Sequence, residues 1–226
     1  MMPTLSIIVP ALNEAAELAA TLASLRACCA DKTQLIVVDG GSVDDTVGIA
    51  RRFADRVVCA DRGRASQMNA GAAAATGEVL WFVHADTAAP AMAGDAVLDA
   101  AGDQGAAWGH CGVRLDGESA LLRVVQRMMN WRARFTGVAT GDQGIWVRRS
   151  IFEAVGGYPP MRLMEDVALS KRLRRLRRPV CLPLYLRTSA RRWQARGVAR
   201  TVVLMWWLRL AFWLGVRAEV LARWYR

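Results

Sequence analysis

The chain has neither of the two glycine-rich phosphate loops that most readily mark nucleotide enzymes. Its first apolar run, Leu5-Ser6-Ile7-Ile8-Val9, leads into Ala11-Leu12-Asn13-Glu14 instead of a dinucleotide fingerprint, and no glycine-rich loop ends in Lys-Ser or Lys-Thr. A dehydrogenase and a P-loop ATPase are thereby disfavoured. Cysteine is scarce, five in 226 residues, and its spacing suits no metal: Cys28 and Cys29 are adjacent, while Cys59, Cys111 and Cys181 stand apart in apolar surroundings. An odd number of such cysteines points to reduced core thiols and a cytoplasmic setting, not to a disulfide framework. Pro- or Ser-rich linkers, low-complexity tracts and fixed-period repeats are also missing, so one catalytic α/β domain with a terminal segment is the economical reading. No zinc finger, basic zipper or RNP-type aromatic pair is present, which argues against nucleic acid as a partner. No basic flank or long apolar segment precedes residue 5, and that first run is expected to be a core strand, not a signal peptide.

What the chain does have is charge of one sign. The formal net charge is +10, and nearly all of the basic residues are arginines, concentrated after Arg123. Such an excess attracts nucleic acid, an anionic membrane or phosphorylated small molecules without choosing among them. Apolar runs at 5–10, 35–39, 56–60 and 79–84 alternate with helical stretches at 14–28, 44–53 and 65–75. That is the pattern of βαβ units in a parallel sheet. The second half is less regular, with strands expected at 108–115 and 144–147 and helices at 119–135 and 164–177. Pro179-Val180-Cys181-Leu182-Pro183-Leu184 reads as a short strand or edge segment, because its prolines supply no ladder amides. The expected fold class is α/β: a Rossmann-like mixed sheet flanked by helices, its later strands completing an acceptor side.

In open sheets of this kind ligands bind at the carboxyl ends of the strands, and three acidic loops fall in such places. Asp39, followed by Gly40-Gly41-Ser42-Val43-Asp44-Asp45-Thr46, can accept hydrogen bonds from a base or ribose, although Asp44 and Asp45 read equally well as a turn and helix cap. Arg64 can meet a diphosphate in bidentate geometry, with Gln67 or Asn69 supplying neutral hydrogen bonds; the alternative is a solvated helix start whose small residues serve packing. Asp86 follows the run Val79-Leu80-Trp81-Phe82-Val83 and is the best metal candidate, since Mg²⁺ or Mn²⁺ can bridge a carboxylate to phosphate oxygens. His84 could assist that metal, orient Asp86 or simply pack, and His110 reads as a core or acceptor-side histidine. Asp166, and after it Glu165, suit a general base that deprotonates an acceptor hydroxyl. Both acids also suit the positive end of a helix.

Taken in order, Ser6-Ile7-Ile8-Val9-Pro10-Ala11-Leu12-Asn13-Glu14, Val37-Val38-Asp39-Gly40-Gly41-Ser42 and His84-Ala85-Asp86 resemble family 2 glycosyltransferases of the GT-A fold. Gly63-Arg64-Ala65-Ser66-Gln67-Met68-Asn69-Ala70-Gly71, Gly141-Asp142-Gln143-Gly144-Ile145-Trp146, Glu165-Asp166 and Thr188-Ser189-Ala190-Arg191-Arg192-Trp193 sharpen the resemblance to a compact bacterial branch, in which His-Ala-Asp replaces a two-acid metal motif. It spans about residues 5–195. The resemblance implies an inverting transferase with a nucleoside-diphosphate sugar donor and Mg²⁺ or Mn²⁺ as cofactor. It places Pro10, Asn13, Glu14 and Asp39 around the nucleoside, Asp86 with His84 at the metal, and Asp166 at the catalytic-base position. Asp142 and Gln143 then fall on the acceptor or diphosphate side. Arg192-Trp193 looks like a shortened Gln-x-x-Arg-Trp element of processive members, but Ser189 stands where the glutamine would be, so transfer of one sugar is expected instead of polymer synthesis.

The implied division is a catalytic domain at 1–195, with a nucleotide-sugar half at 1–100 and an acceptor half at 101–195, followed by an apolar, basic, amphipathic helical appendage at 196–226. Within that tail the apolar stretch 202–216 is interrupted by Arg209 and falls short of the roughly 20 residues of a simple bilayer span. A helix lying on the membrane, with tryptophans at the interface and arginines near anionic lipid, is one expectation. Arg200, Arg209 and Arg217 do not share one polar face, so burial against the catalytic domain or in a homodimer is the other. The acceptor is expected to be a small molecule or a lipid, and the setting cytoplasmic or peripheral on the inner face of the membrane. Two rival functions remain: a sugar nucleotidyltransferase, and a noncatalytic, membrane-associated binder of nucleotide sugars.

Overall fold

A computed structural model describes residues 4–29, 33–117, 119–191 and 197–225. Its centre is β1 (Leu5–Ala11), buried along its whole length because it lies inside the sheet with helices on both faces. Successive residues of β1 point to opposite faces, and each face finds a separate core. Ile7 and Val9 pack with Leu18, Leu22 and Leu25 of α1 (Ala15–Ala27) and with Val97 of α4 (Ala93–Gly102). Ile8 packs on the other face with Met68 and Ala72 of α3 (Arg64–Ala74) and with Leu169 and Leu173 of α7 (Glu165–Leu176). Gly71 belongs to this second contact, since a β-carbon there would run into Ile8 and Val38; its smallness lets helix and sheet approach closely.

The sheet has eight strands in the order β3-β2-β1-β4-β7-β6-β8-β5. β2 (Thr33–Asp39), β3 (Arg56–Cys59) and β4 (Val79–Phe82) run parallel to β1, with α2 (Thr46–Phe53) and α3 as crossovers. The chain builds outward from β1 to β3 and then returns to β4 on the other side of β1. The carboxyl ends of β1 and β4 therefore flank the switch point, where such sheets open a crevice. Beyond β4 the sheet is mixed. β7 (Trp146–Arg148) is antiparallel to both β4 and β6 (Trp108–Leu115), and β6 is parallel to β8 (Val180–Thr188), which pairs at the edge with the two-residue β5 (Thr87–Ala88). The proline-bearing segment is an edge as expected, since it pairs with β6 alone; the strand runs on to Thr188, and only Arg187 and Thr188 gain β5 as a second partner. The register slips between His110 and Gly112, opposite Cys181 and Tyr185, and Pro183 sits in that irregularity where no ladder amide is required.

The end of the chain corrects the expectation of a helical appendage. Two helices, α8 (Val198–Trp213) and α9 (Ala218–Tyr225), are joined by a turn containing Gly215 at φ +91°. Leu208 and Ala211 of α8 and Leu221 of α9 form one buried cluster with Met164 and Val167 at the start of α7. The segment is apolar because part of it is core, packed against the start of α7. Among the described residues no helix is long and apolar enough to cross a membrane. The remaining helices, α5 (Ala120–Thr136) and α6 (Arg149–Ala154), cover β6 and follow β7 respectively.

Candidate active site

The loops after β1 and β2 are clasped to each other. Asn13, held at φ +54°, accepts Val43 N on its side-chain oxygen at 2.9 Å, and its own N–H is donated to Ser42 Oγ at 2.9 Å. Asp44 reaches across to accept Ala15 N at 3.1 Å, satisfying a free amide at the start of α1 from a neighbouring loop. Asp39 turns back on its own loop, accepting Gly41 N at 3.0 Å and Ser42 N at 3.1 Å. Gln67, buried in α3, donates to both Ala11 O and Val38 O at 2.8 Å and so ties together the ends of β1 and β2. These bonds hold open a cavity of about 220 Å³ at the switch point, with Pro10, Glu14, Arg64 and Gln67 on its walls.

A larger cavity of about 330 Å³ lies on the other side of His84 and Asp86, and Arg64, His84 and Asp86 line both spaces. Its polar end holds Asp142, Glu165 and Asp166. Asp166 accepts Val167 N at 2.6 Å on Oδ1 and Gly141 N at 2.8 Å on Oδ2, which fixes the carboxylate while leaving a lone pair on each oxygen. Glu165, only 5% exposed, is pushed to a higher pKa first by burial and then by Asp166, with Arg64 opposing. Burial works against the charge of Arg64, but Glu165, Asp142 and Asp166 outweigh it and raise its pKa.

The helical side of this cavity brings in two further cations. Arg132 of α5 has its pKa lowered to about 10 by burial and then by Arg209 of α8; Asp166 and Asp142 offset this only in part. Arg209 is lowered by burial, against the same two acids. Among the described residues Arg132 Nε and Nη2 and Arg209 Nε are buried without a hydrogen-bond partner. Between and beyond them the walls are apolar, with Met128, Met129, Met205 and Trp206.

A divalent ion fits the junction only as one with few protein ligands. Among the described residues no three His, Cys, Asp or Glu side chains gather as a ligand set. Asp86 uses its backbone carbonyl to accept Ser189 N at 3.1 Å, while its side chain lines both cavities. His84 Nδ1 faces Asp142 Oδ1 at 3.1 Å, and the other ring nitrogen lies against Gly141, where a β-carbon would collide with it. The imidazole thus sits between a carboxylate and a glycine and lines both cavities. Mg²⁺ keeps several waters and takes one or two carboxylates plus substrate phosphates, so Asp86 alone is a chemically sufficient protein donor.

Comparison with known proteins now bears on this geometry. The model of the family described as "Glycosyl transferase family 2" matches residues 6–156. The chain belongs to that family. Two curated family relatives are a "PGL/p-HBAD biosynthesis glycosyltransferase" of Mycobacterium bovis, 45% identical over 37% of this chain and 36% of its own length, and an "Uncharacterized glycosyltransferase" of Mycobacterium tuberculosis, 40% identical over 36% and 33%. The similarity therefore spans about a third of these relatives. Among solved structures, the mannosyltransferase PcManGT from Pyrobaculum calidifontis in complex with GDP-Man and Mn²⁺ superposes with a TM-score of 0.65 at 22% identity, covering 83% of this chain and 57% of that one. Glucosyl-3-phosphoglycerate synthase from Mycobacterium tuberculosis superposes at 0.58 and 20% identity, covering 83% and 70%. These likenesses establish the GT-A fold for this family 2 chain.

Of the residues picked from this family 2 sequence, Pro10, Glu14, Arg64, Gln67, His84, Asp86, Asp142, Glu165 and Asp166 line one or both cavities. Asn13 and Asp39 build the clasp beside the smaller one. Asn69 is engaged elsewhere: it donates to Tyr158 O at 2.8 Å and accepts Tyr158 N at 3.0 Å, pinning the loop before α7. Gln143 is fully buried, accepting Thr140 N at 3.1 Å behind the cavity wall. Arg192 and Trp193 lie outside the described residues. His110 is a core residue, with Nδ1 donating to Cys111 O at 2.8 Å and Nε2 facing Cys181 Sγ at 3.3 Å. Sequence reasoning gave no role to Arg132, although it stands three residues after Met129 and seven after Val125, both on the buried face of α5, a spacing that signals an inward-facing cation.

Proposed function

We propose that this family 2 chain transfers one sugar from a nucleoside-diphosphate sugar to an acceptor hydroxyl with inversion. The observation that carries the reading is the meeting of the two cavities at Arg64, His84 and Asp86, with Asp166 on the far side of the junction. The nucleoside occupies the smaller cavity against Pro10 and Glu14, and the diphosphate lies at the junction. There Arg64 neutralises phosphate charge and Asp86 holds Mg²⁺ or Mn²⁺, which when bound offsets the charge that builds on the leaving diphosphate. The acceptor enters from the larger cavity. Asp166 takes the proton from its hydroxyl as the oxygen attacks the sugar C1; the bond from C1 to the diphosphate oxygen breaks, and the diphosphate leaves with that electron pair. Two backbone N–H groups hold the Asp166 carboxylate in place, and His84 keeps Asp142 beside it.

The test is a panel of nucleotide sugars incubated with the chain and Mn²⁺ or Mg²⁺, with free nucleoside diphosphate measured and products weighed by mass spectrometry after addition of cell lipids and small metabolites. A transferred sugar and a released nucleoside diphosphate are expected. Release of pyrophosphate from a nucleoside triphosphate would replace this reading with a nucleotidyltransferase. Tight nucleotide-sugar binding without turnover on any acceptor would make the chain a binding protein.

A further inference from the structure

The larger cavity combines features that a sugar site alone does not need. Arg132 and Arg209 line it from different helices and repel each other, and burial works against both charges. Burying two like charges side by side is costly, so a complementary anion in the cavity is the arrangement that would relieve it. Around this pair the wall is apolar, and it does not close. Met128, Trp131 and Trp206 line the cavity and also stand at the surface, Trp131 65% and Trp206 58% exposed. Phe135, whose ring lies 4.6 Å from that of Trp131, is exposed as well, and so are Trp207, Trp213 and Leu214. Tryptophans on a basic chain of net charge +10 are what an anionic bilayer surface attracts.

We infer that the acceptor is an anionic lipid: its oxyanion sits between Arg132 and Arg209, its hydrocarbon chain leaves over Trp131 and Trp206, and the exposed face of α5, α8 and α9 rests on the bilayer from which it comes. This deepens the proposed transfer reading and rests on it. An oxyanion held by the two arginines carries the headgroup hydroxyl to the end of the cavity where Asp166 stands. The donor keeps its own cation, because Arg64 faces both cavities while Arg132 and Arg209 line only the larger one.

Decyl phosphate, decanol and inorganic phosphate serve as soluble probes, titrated calorimetrically into the full chain. Vesicles of phosphatidylcholine with and without phosphatidic acid serve as the surface probe, read by co-sedimentation. Decyl phosphate should bind and the other two only weakly. Arg132→Gln and Arg209→Gln should each weaken decyl phosphate about tenfold, as expected for a lost hydrogen bond to a charged group. The exposed Arg200→Gln should leave it unchanged, and vesicle binding should require phosphatidic acid. Nucleoside diphosphate binding with Mn²⁺ should be the same in all four proteins. Because burial, and for Arg132 also the repulsion from Arg209, works against the charges, both variants should melt no lower than the parent, whereas loss of a merely structural arginine lowers the melting temperature.

Equal affinity for inorganic phosphate and decyl phosphate would overturn the lipid assignment in favour of a free phosphate compound. An Arg200→Gln loss as large as the other two would reduce the effect to general surface charge. Loss of nucleoside diphosphate binding in Arg132→Gln would move the arginines to the donor, and a dimer that hides the tryptophan face and ignores vesicles would assign that face to a second copy. Failure of the parent to bind any nucleoside diphosphate would instead sink the transfer reading itself.

Discussion

Replacing Asp166 with asparagine separates two roles that one carboxylate fills here. Its oxygens accept Val167 N at 2.6 Å and Gly141 N at 2.8 Å. An amide of the same shape can accept only one of these bonds and must point N–H donors at the other amide. One charge-assisted bond is lost and the survivor becomes neutral, a cost of roughly 1.5–3 kcal/mol. Relief of the repulsion between Asp166 and Glu165 gives part of this back. For a chain of this size the net loss should lower the melting temperature by roughly 2–8 °C. The chemical loss is larger, since a positioned general base contributes about 10²–10⁴ in rate, or roughly 3–5 kcal/mol of barrier. The assay is nucleoside diphosphate release with water or an identified acceptor as nucleophile, run beside thermal melting and nucleoside diphosphate binding. Binding should be unchanged, because Asp166 lines only the larger cavity. A variant that melts lower yet turns over at the parental rate would reduce Asp166 to a clip between Gly141 and α7, and the base assignment would be lost.

Three other substitutions probe neighbouring parts of the site. Asp86→Asn should abolish the dependence of nucleoside diphosphate affinity on Mn²⁺ while the chain still melts near the parental temperature; a preserved metal response would remove Asp86 from the metal. Glu165 has a raised carboxyl pKa in the fold, so its contribution to stability is full below the unfolded value and is lost as pH rises through the folded one. Glu165→Gln should therefore gain melting temperature relative to the parent at pH ~8 more than at pH ~4, and a gap independent of pH would contradict the assigned cause. Asn69→Ala leaves Tyr158 N and O without their partner and should cost roughly 2–4 kcal/mol in urea unfolding. Its nucleoside diphosphate affinity should stay at the parental value, because the Asn69 amide serves the loop before α7.

The strand-end loops were legible because their pattern is local. Apolar runs ending in Asn13, Asp39, Arg64 and Asp86 fix strands and loops by period alone, and the sheet brings those ends to one edge. Local patterns could not say which polar residues face the ligand and which hold the loops. Asn13, Asp39 and Asp44 meet backbone amides of the same two loops, and Gln67 spans two strand ends. Such residues satisfy backbone donors that only the assembled edge reveals. The proline rule read residues 179–184 correctly as an edge, because they pair with β6 alone, but it did not show that the strand continues to Thr188. The tail was least legible. α8 has apolar residues all round, so no face announces itself, and its partners Met164 and Val167 are distant in sequence.

This division also locates specificity. Strand ends and their clasped loops form the smaller cavity, and that frame lies within residues 6–156, where the family model matches. The larger cavity instead takes its apolar and cationic walls from α5, α7, α8 and α9, three of which lie beyond residue 156. A helix packed on a sheet through a few buried residues can change the side chains on its outer and cavity faces without disturbing the strand register, whereas a change in Asp39 or Gln67 would unfasten the loops that shape the smaller cavity. Acceptor choice in this chain should accordingly move with residues such as Arg132, Met205 and Arg209, and exchanging them should alter what is glycosylated before it alters which nucleotide is bound.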